Sequence, residues 1–480
     1  MPQKFASLIS SIRDEHVSES SIVEIEKWIR KECNSKARLT LGLAATSFNS
    51  EPSWLGRRLA MWPGGIPTGK RIGLVSSRLG RQLDTKTTWF SVLRTACAKF
   101  QSKDVLVTSP KTATARIVDR CAELFGIKQL RIILPNNRAQ TTDEWLESVL
   151  EMKESSDVAV NYAYLSPPLE KSEGNDDLPT ENEIALRDRA IVSAADRLYA
   201  IHVRPKGSLY SLICERLRDP SFPAASVFVG MSPSLTPAHV ADKLMELGAV
   251  GWYLLNPPTS SSQSDKELSD SMRSAESAPI IPMPSSENWS FLTHCTRRRN
   301  GPWPEQAESD YLDDLILAEQ SADRSPLATL KNIISKKRLC ASPLAIRGGT
   351  PVVSFTEVPL AELSNLREFR PHRGRWDFEP FGICVKQSWL EEKQARRVCY
   401  GSNETWDSLN ESNRPWFQVA QSVTPKGTTI DWTVEREWRV VGDVDLSDLQ
   451  PDEGVVFVRT EKEANSLATT SPWPICVLGE

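Results

Sequence analysis

Near the C-terminus the run Asp431-Trp432-Thr433-Val434-Glu435-Arg436-Glu437-Trp438-Arg439 sets two carboxylates two residues apart. Read as a strand, it puts Glu435 and Glu437 side by side on one face, with Arg436 and Trp438 on the other, because strand side chains repeat every two residues. A carboxylate pair suits a reaction in which positive charge develops on a sugar. One carboxylate stabilises the oxocarbenium-like centre and orients the 2′-hydroxyl, and the second activates an acceptor. Upstream, Phe291-Leu292-Thr293-His294-Cys295-Thr296-Arg297 and Pro351-Val352-Val353-Ser354-Phe355-Thr356-Glu357 offer an imidazole and hydroxyls that could hold a ribose. Each of these residues also has a plainer reading: glutamates paired with arginines on an exposed strand, a satisfied imidazole, hydroxyls that cap a strand.

A second set lies in the N-terminal half, in loops that follow apolar strands. These are Ser76-Ser77-Arg78, then Thr108-Ser109-Pro110-Lys111-Thr112-Ala113-Thr114, then Arg204-Pro205-Lys206-Gly207-Ser208. Small hydroxyl residues where a helix begins let backbone N–H groups approach an anion, and the helix dipole favours negative charge there. Ser77, Ser109 and Thr112 are the candidate hydroxyls, and Arg78, Lys111, Arg204 and Lys206 the candidate countercharges. Gly64-Gly65-Ile66-Pro67-Thr68-Gly69-Lys70 matches the spacing of a phosphate loop. However, Arg71 replaces the Ser or Thr that would hold magnesium, and the segment precedes a strand instead of following one. G-x-G-x-x-G is absent, so ordinary dinucleotide binding is not supported. The cluster Arg370-Pro371-His372-Arg373-Gly374-Arg375-Trp376 could hold phosphate or stack a base.

The elements that must position these residues follow from periodicity. Residues 4–33 read as two helical stretches, the second opened by a capping box at Ser21 to Glu24 and carrying Ile22, Ile25 and Ile29 at helical spacing. From about Leu39, strands at 72–76, 104–108, 129–134, 197–203, 226–230 and 252–255 alternate with helices at 89–100, 112–125, 209–217 and 237–247. That alternation implies a parallel sheet covered on both faces. Residues 165–183 read as a Pro- and acid-rich surface loop, and 257–287 as a Ser/Pro-rich linker. Beyond it, helices are expected at 309–319 and 326–337, and strands at 351–356, 382–386, 397–400, 436–442 and 455–459. Helices first and strands later suggest α+β. The expected organisation is N-terminal helices over 1–38, an α/β Rossmann-like domain over 39–256, the linker over 257–287 and an α+β domain over 288–480.

Composition sets the bounds. A chain of 480 residues exceeds what one core usually serves. Net charge is −4 and pI about 5.9, so attraction to nucleic acid or anionic membrane must come from local patches. Nine cysteines without a C-x-x-C pair are expected to be reduced thiols of a cytoplasmic protein. The polar N-terminus reads as no signal peptide, and no apolar run reaches the roughly 18–20 residues of a membrane span. The five histidines share no ligand spacing, so no metal site is expected. A metal-dependent nuclease built on Asp431, Glu435 and Glu437 would need a trailing lysine or a further acidic motif, and none accompanies them.

The segments RIGLVSSRLGR, DVLVTSPKTATARIVDRCAELFGI and AADRLYAIHVRPKGSLYSLICERL resemble the SLOG group of Rossmann-like domains, which includes DNA-processing protein A and the cytokinin-activating phosphoribohydrolases. The likeness spans roughly residues 40–255 and implies a nucleotide-like small-molecule ligand. Ser76 stands where glycine is common and the Pro-Gly-Gly-x-Gly-Thr loop of the hydrolases is missing, which favours sensing over hydrolysis. The order of His, then Ser/Thr on a strand, then a late Glu resembles the ADP-ribosyltransferase superfamily over about 289–460, most closely its bacterial defence members and the DNA-targeting toxins. By that resemblance His294 matches the first motif and Ser354 with Thr356 the second. Glu437 matches the catalytic glutamate, Glu435 the residue two before it, and Arg347 a substrate-contacting cation. It implies NAD as substrate and a nucleic-acid or protein acceptor, with the first domain controlling the second. The alternative is a non-catalytic nucleotide- or nucleic-acid-binding protein that uses the Arg370–Trp376 patch.

Overall fold

Strands buried on both faces read as near-continuous apolar runs, and β3 (Arg71–Ser76) and β4 (Val105–Thr108) are buried along their whole length. They lie in a computed structural model that describes residues 19–43, 54–135, 141–151, 159–169, 183–232, 234–253, 277–370, 375–423, 427 and 429–479. Two units divide the chain, one of residues 1–259 with 307–322, the other of 260–306 with 323–480.

The first unit runs α1 (Glu19–Glu32), β1 (Arg38–Leu41), β2 (Leu59–Trp62), β3, α2 (Thr87–Cys97), β4, α3 (Ala115–Leu124) and β5 (Lys128–Ile133). It continues through α4 (Thr142–Glu151), β6 (Val160–Leu165), α5 (Glu183–Ala194), β7 (Arg197–His202), α6 (Ser208–Arg218), β8 (Val227–Gly230), α7 (Ala238–Glu246) and β9 (Val250–Trp252). Its nine strands take the order β1-β2-β6-β5-β4-β3-β7-β8-β9. Every pair from β6 to β9 is parallel, and β1 and β2 are antiparallel additions at one edge. The chain winds outward from β3 to β6, returns to the other side of β3 as β7, and winds outward again. This is a Rossmann-type doubly wound sheet, with its switch point between β3 and β7.

Side chains alternate between two cores. Val75, Val105, Val107 and Leu198 pack on the face that includes α5 and α6, and Ile72, Leu74, Leu106 and Tyr199 on the face of α2 and α3. The capping box expected at Ser21 falls inside α1, which already includes Glu19, but Ile22, Ile25 and Ile29 are buried as expected. The first expected helix and most of the 165–183 loop lie outside the described residues. Gly69 leads into β3 at φ +129°, and a Cβ there would stand 1.7 Å from the carbonyl oxygen of Lys103. That glycine serves a backbone crossing, in keeping with the rejection of the Gly64–Lys70 run as a phosphate loop.

One expectation is corrected here. The helix expected at 309–319 belongs to the first unit, as α8 (Glu308–Leu317). Tyr311, Leu312, Leu315 and Ile316 are buried in the α2–α3 core. Polar contacts lock it: Arg120 grips Asp313 with Nε and Nη2 at 2.6 and 2.7 Å, and Arg94 Nη1 donates to the carbonyl of Ile316 at 2.7 Å. The apolar stripe of a helix settles where it is covered, whatever its neighbours in sequence.

The second unit's strands are β10 (Ile280–Ile281), β11 (Phe291–Cys295), β12 (Arg338–Leu339), β13 (Val352–Thr356), β14 (Glu368–Arg370), β15 (Arg375–Asp377), β16 (Gly382–Lys386) and β17 (Arg396–Arg397). They continue as β18 (Cys399–Gly401), β19 (Phe417–Val419), β20 (Gln421–Val423), β21 (Thr429–Asp431), β22 (Glu437–Val441), β23 (Val444–Asp445), β24 (Gly454–Val458) and β25 (Ile475–Val477). Eight of them form one sheet in the order β10-β25-β24-β16-β11-β13-β22-β17. A helix over Pro326–Lys336 starts with Ser325, which accepts from the N–H of Ala328, and with proline in its first turn. The unit is α+β, as expected. The expected linker needs revision at its end: 257–276 fall outside the described residues, and Ile280–Ile281 form β10, parallel to β25. Gly382 sits where a Cβ would meet the carbonyl oxygen of His294 at 2.1 Å and the Phe457 ring at 2.6 Å, so only glycine lets β11 and β16 close at that point.

Candidate functional site

In the first unit the loops after β3 and β7 meet at the switch point. Ser77 N–H donates to the carbonyl of His202 at 2.8 Å, and Ser77 Oγ accepts from the N–H of Arg204 at 3.2 Å. The Arg204 guanidinium donates to the carbonyl of Arg78. Ser77, Arg78 and Arg204 are thus brought together as the sequence suggests, with the Arg78 and Arg204 side chains exposed. Burial pushes the His202 imidazole down. Arg204 and Lys86 push it the same way, against the Leu235 carbonyl that accepts from its Nδ1. Lys86 precedes α2, so it brings a further cation to this edge that spacing alone does not reveal.

The other two loops divide in role. Ser109 is fully buried and donates to the carbonyl of Ile132 at 2.8 Å, and Thr112 Oγ1 donates to the carbonyl of Ser109 at 3.2 Å. These hydroxyls brace the loop. Lys111 and Lys206 are exposed, and both sit in the left-handed region, at φ +66° and +58°. A non-glycine residue there costs about 1–2 kcal/mol, a strain that recurs where a loop is shaped for a ligand. No side chain caps the starts of α2, α3 and α6, and at α3 the N–H groups of Ala115 and Ile117 donate to the carbonyls of Thr112 and Thr114.

In the second unit the register sets Thr293 of β11 opposite Thr356 of β13, and Thr356 opposite Glu437 of β22. Opposed residues share a face, so Ser354, Thr356, Glu437 and Arg439 line one side of the sheet. His294 falls on the other, against Phe355 at 5.7 Å between ring centroids. Its Nδ1–H donates to the carbonyl of Ser354 at 2.9 Å, and burial drives its pKa down to about 4. The expected trio is therefore split: Ser354 and Glu437 share a face, and His294 does not.

Glu435 and Glu437 are not on one strand. Glu435 ends a 3-10 turn over Thr433–Glu435, Arg436 takes φ +44°, and β22 begins only at Glu437. The left-handed residue between them breaks the two-residue repeat, yet the carboxylates remain neighbours. Burial first, then Glu437 and Asp377, raise Glu435 to about 7, against Arg297 and Arg370. Thr356 Oγ1 donates to the carbonyl of Glu435 at 2.6 Å and fixes that turn. Glu437 is gripped by Arg439, Nε to Oε1 at 2.9 Å and Nη2 to Oε2 at 2.8 Å. Arg439, itself 1% exposed, also donates to the carbonyls of Pro415 and Phe417 and to Gln418 Oε1. The N–H of Glu437 donates to Tyr400 Oη at 2.9 Å, and burial with the two nearby glutamates raises Tyr400 to about 12.

Arg347 is placed elsewhere. It is exposed, donates to Asn403 Oδ1 at 2.7 Å and lies over Trp406. Of the 370–376 cluster, Arg370 ends β14 and Arg375 opens β15, while residues 371–374 lie outside the described residues. Arg370 is buried and paired with Glu368 and Asp377, so it is not a free phosphate contact, whereas Trp376 is 40% exposed. Tyr400 and Asp377 were not among the expected site residues, and Arg297 and Arg439 stood in the quoted runs without a site role; the spacing of two between Glu437 and Arg439 was the signal for that pair, whereas Tyr400 and Asp377 come from separate elements. Among the described residues no group of three or more His, Cys, Asp or Glu side chains could hold a metal, and no helix is long and apolar enough to cross a membrane.

The fold and its two sites define a doubly wound α/β unit with a cationic switch-point edge, joined in one chain to an α+β unit with a half-buried carboxylate pair. No family model and no curated protein matches the chain. Among solved structures it is similar to DNA processing protein A from Streptococcus pneumoniae, at 13% identity and a TM-score of 0.28 over 48% of this chain and 77% of that one. It is also similar to DNA processing protein A from Helicobacter pylori, described for its single-stranded DNA binding mode, at 12% identity and a TM-score of 0.26 over 45% and 90%. Likeness at that level carries no functional argument.

Proposed function

We propose that the first unit binds a phosphate-bearing, nucleotide-type ligand at the carboxyl edge between β3 and β7. The observation that carries this is the meeting of Ser77, Arg78, Lys86 and Arg204 at the switch point, where an open α/β sheet offers its crevice. The reading is tested by titrating AMP, ADP-ribose and a short single-stranded oligonucleotide into the full chain. Arg204→Gln and Lys86→Gln should each weaken binding about tenfold, the loss expected for one charge-assisted contact. Because Arg204 also braces its loop, Lys86→Gln is the cleaner variant; unchanged affinity in both, or no binding by the wild type, rejects the site.

The second unit favours a further reading, that of an NAD-cleaving effector governed by the first, in a bacterial defence or stress response. The supporting observation is the division of labour between the two glutamates. Glu437, held by Arg439, stands as a fixed negative charge beside a ribosyl cation. Glu435, near 7, can take a proton at physiological pH. The C1′–N bond of NAD would break with its electron pair leaving on nicotinamide. An acceptor oxygen would bond C1′ and lose its proton to Glu435. Glu437→Gln should slow nicotinamide release about 100- to 1000-fold, and release at the wild-type rate would sink this reading.

A further inference from the structure

Two thiols meet beneath α8 in the first unit. Cys97 is the last residue of α2, and Cys121 lies within α3. Their Sγ atoms stand 3.3 Å apart across a sequence separation of 24. Cys97 is 3% exposed and Cys121 0%. A sulfur–sulfur bond needs about 2.05 Å, so the two side chains have little distance to close. Neither thiol belongs to the switch-point edge or to the carboxylate pair.

What separates this pair from an open, reactive thiol is its cover. α8 lies across both helices, and its Tyr311, Leu312, Leu315 and Ile316 share one core with Cys97 and Cys121. The polar grips on α8 flank the pair. Arg94, one helical turn before Cys97, holds the carbonyl of Ile316, and Arg120, next to Cys121, holds Asp313. The hydrogen bond with Cys121 raises the Cys97 thiol, and burial raises it further, so in the closed unit it stays protonated. The thiolate is the reacting form. The pair therefore reacts only when α8 lifts and admits water and oxidant, a local opening of the kind that exposes buried groups in native proteins.

We propose that Cys97 and Cys121 are a modification site, a latent disulfide formed with hydrogen peroxide as oxidant and gated by α8. One thiolate attacks the peroxide O–O bond and becomes a sulfenic acid, and the displaced oxygen leaves as water. The second thiol attacks that sulfur and displaces its oxygen as a second water. The S–S bond forms, the two sulfurs give up two electrons, the peroxide takes them, and both thiol protons leave in the waters. The bridge closes a loop that contains β4 and the turn from Ser109 to Thr114. It ties α2 to α3 without help from α8, so that an oxidised chain keeps this layer together while its cover is off.

Two measurements test it. In the first, the full chain is treated with hydrogen peroxide, the remaining thiols are alkylated, and cysteine pairing is mapped by mass spectrometry without reduction. A Cys97–Cys121 bridge should appear in the wild type. Asp313→Asn weakens the grip of Arg120 and leaves the apolar core as it is, and it should speed bridging about tenfold, the loss of one charge-assisted contact. Leu315→Ala, which loosens α8 through the core instead, should also speed it. Absence of the bridge, either thiol paired with a different cysteine, or a rate unchanged in both variants overturns the proposal. The second measurement reads the tie between the helices. Oxidised wild type should unfold at a higher urea concentration than its reduced form, because the closed loop constrains the unfolded chain. Peroxide should give Cys121→Ala no such gain. Equal midpoints for oxidised and reduced wild type, or the same gain in Cys121→Ala, overturn it.

Discussion

Glu435 shows how much one turn of backbone can do to one side chain. Placed on a strand beside Glu437 it would be an ordinary exposed carboxylate. Held in a 3-10 turn by Thr356 it is half-buried beside two other acids, and desolvation with their charge raises its pKa from 4.5 to about 7. A carboxyl whose pKa is higher in the folded state favours folding when protonated, so its contribution is fully present below about pH 4.5 and is lost as pH rises through 7. Over that window the wild type should lose roughly 2–3 kcal/mol that Glu435→Gln does not, since each tenfold change in proton affinity is worth about 1.4 kcal/mol. Chemical denaturation at pH 4.5 and pH 8 measures it, and parallel pH profiles for the two proteins would rule out a raised carboxyl. Neither the turn nor the raised pKa was legible in the sequence, because the left-handed Arg436 that creates both has no composition signal. Glycine or asparagine would have given one.

At the scale of elements, alternation of strands and helices was legible wherever an apolar run was long. β3, β4, β5, β7 and β8 lie within a residue or two of their expected places. The strands β1, β2 and β6 were not: β1 and β2 belong to an antiparallel edge that the repeating pattern does not require, and β6 interleaves buried and half-buried residues instead of presenting a continuous apolar run. The site in the first unit was legible for the same reason the sheet was: a loop that leaves a parallel strand is committed to one edge. The site in the second unit was legible only as motifs, since which face of an antiparallel sheet His294 occupies depends on register with β13. α8 shows the limit of locality. Its helical period was plain and its destination was not. Leu315→Ala should cost the first unit roughly 2–5 kcal/mol, the usual loss for a leucine in a packed core. Native-state hydrogen exchange should quicken in α2 and α3, and unchanged protection there would show that α8 is not part of that core.

For the whole molecule, a net charge of −4 gives no general attraction to polyanions, yet cations gather at one edge of the first unit. Binding there should therefore weaken with added salt as a local effect of a few charges. The loan of residues 307–322 to the first unit also has a consequence in time. Synthesis proceeds from the N-terminus at about 5–20 residues per second, and a domain ordinarily folds once its last residue has emerged. Here the nascent chain has to carry an uncovered apolar patch over α2 and α3 until α8 leaves the ribosome, by which time the start of the next unit is already made. The first unit is thus completed late, and cutting the gene between the two would separate neither cleanly: the upstream product would lack the helix that closes its core, and the downstream product would carry that helix with nothing to cover.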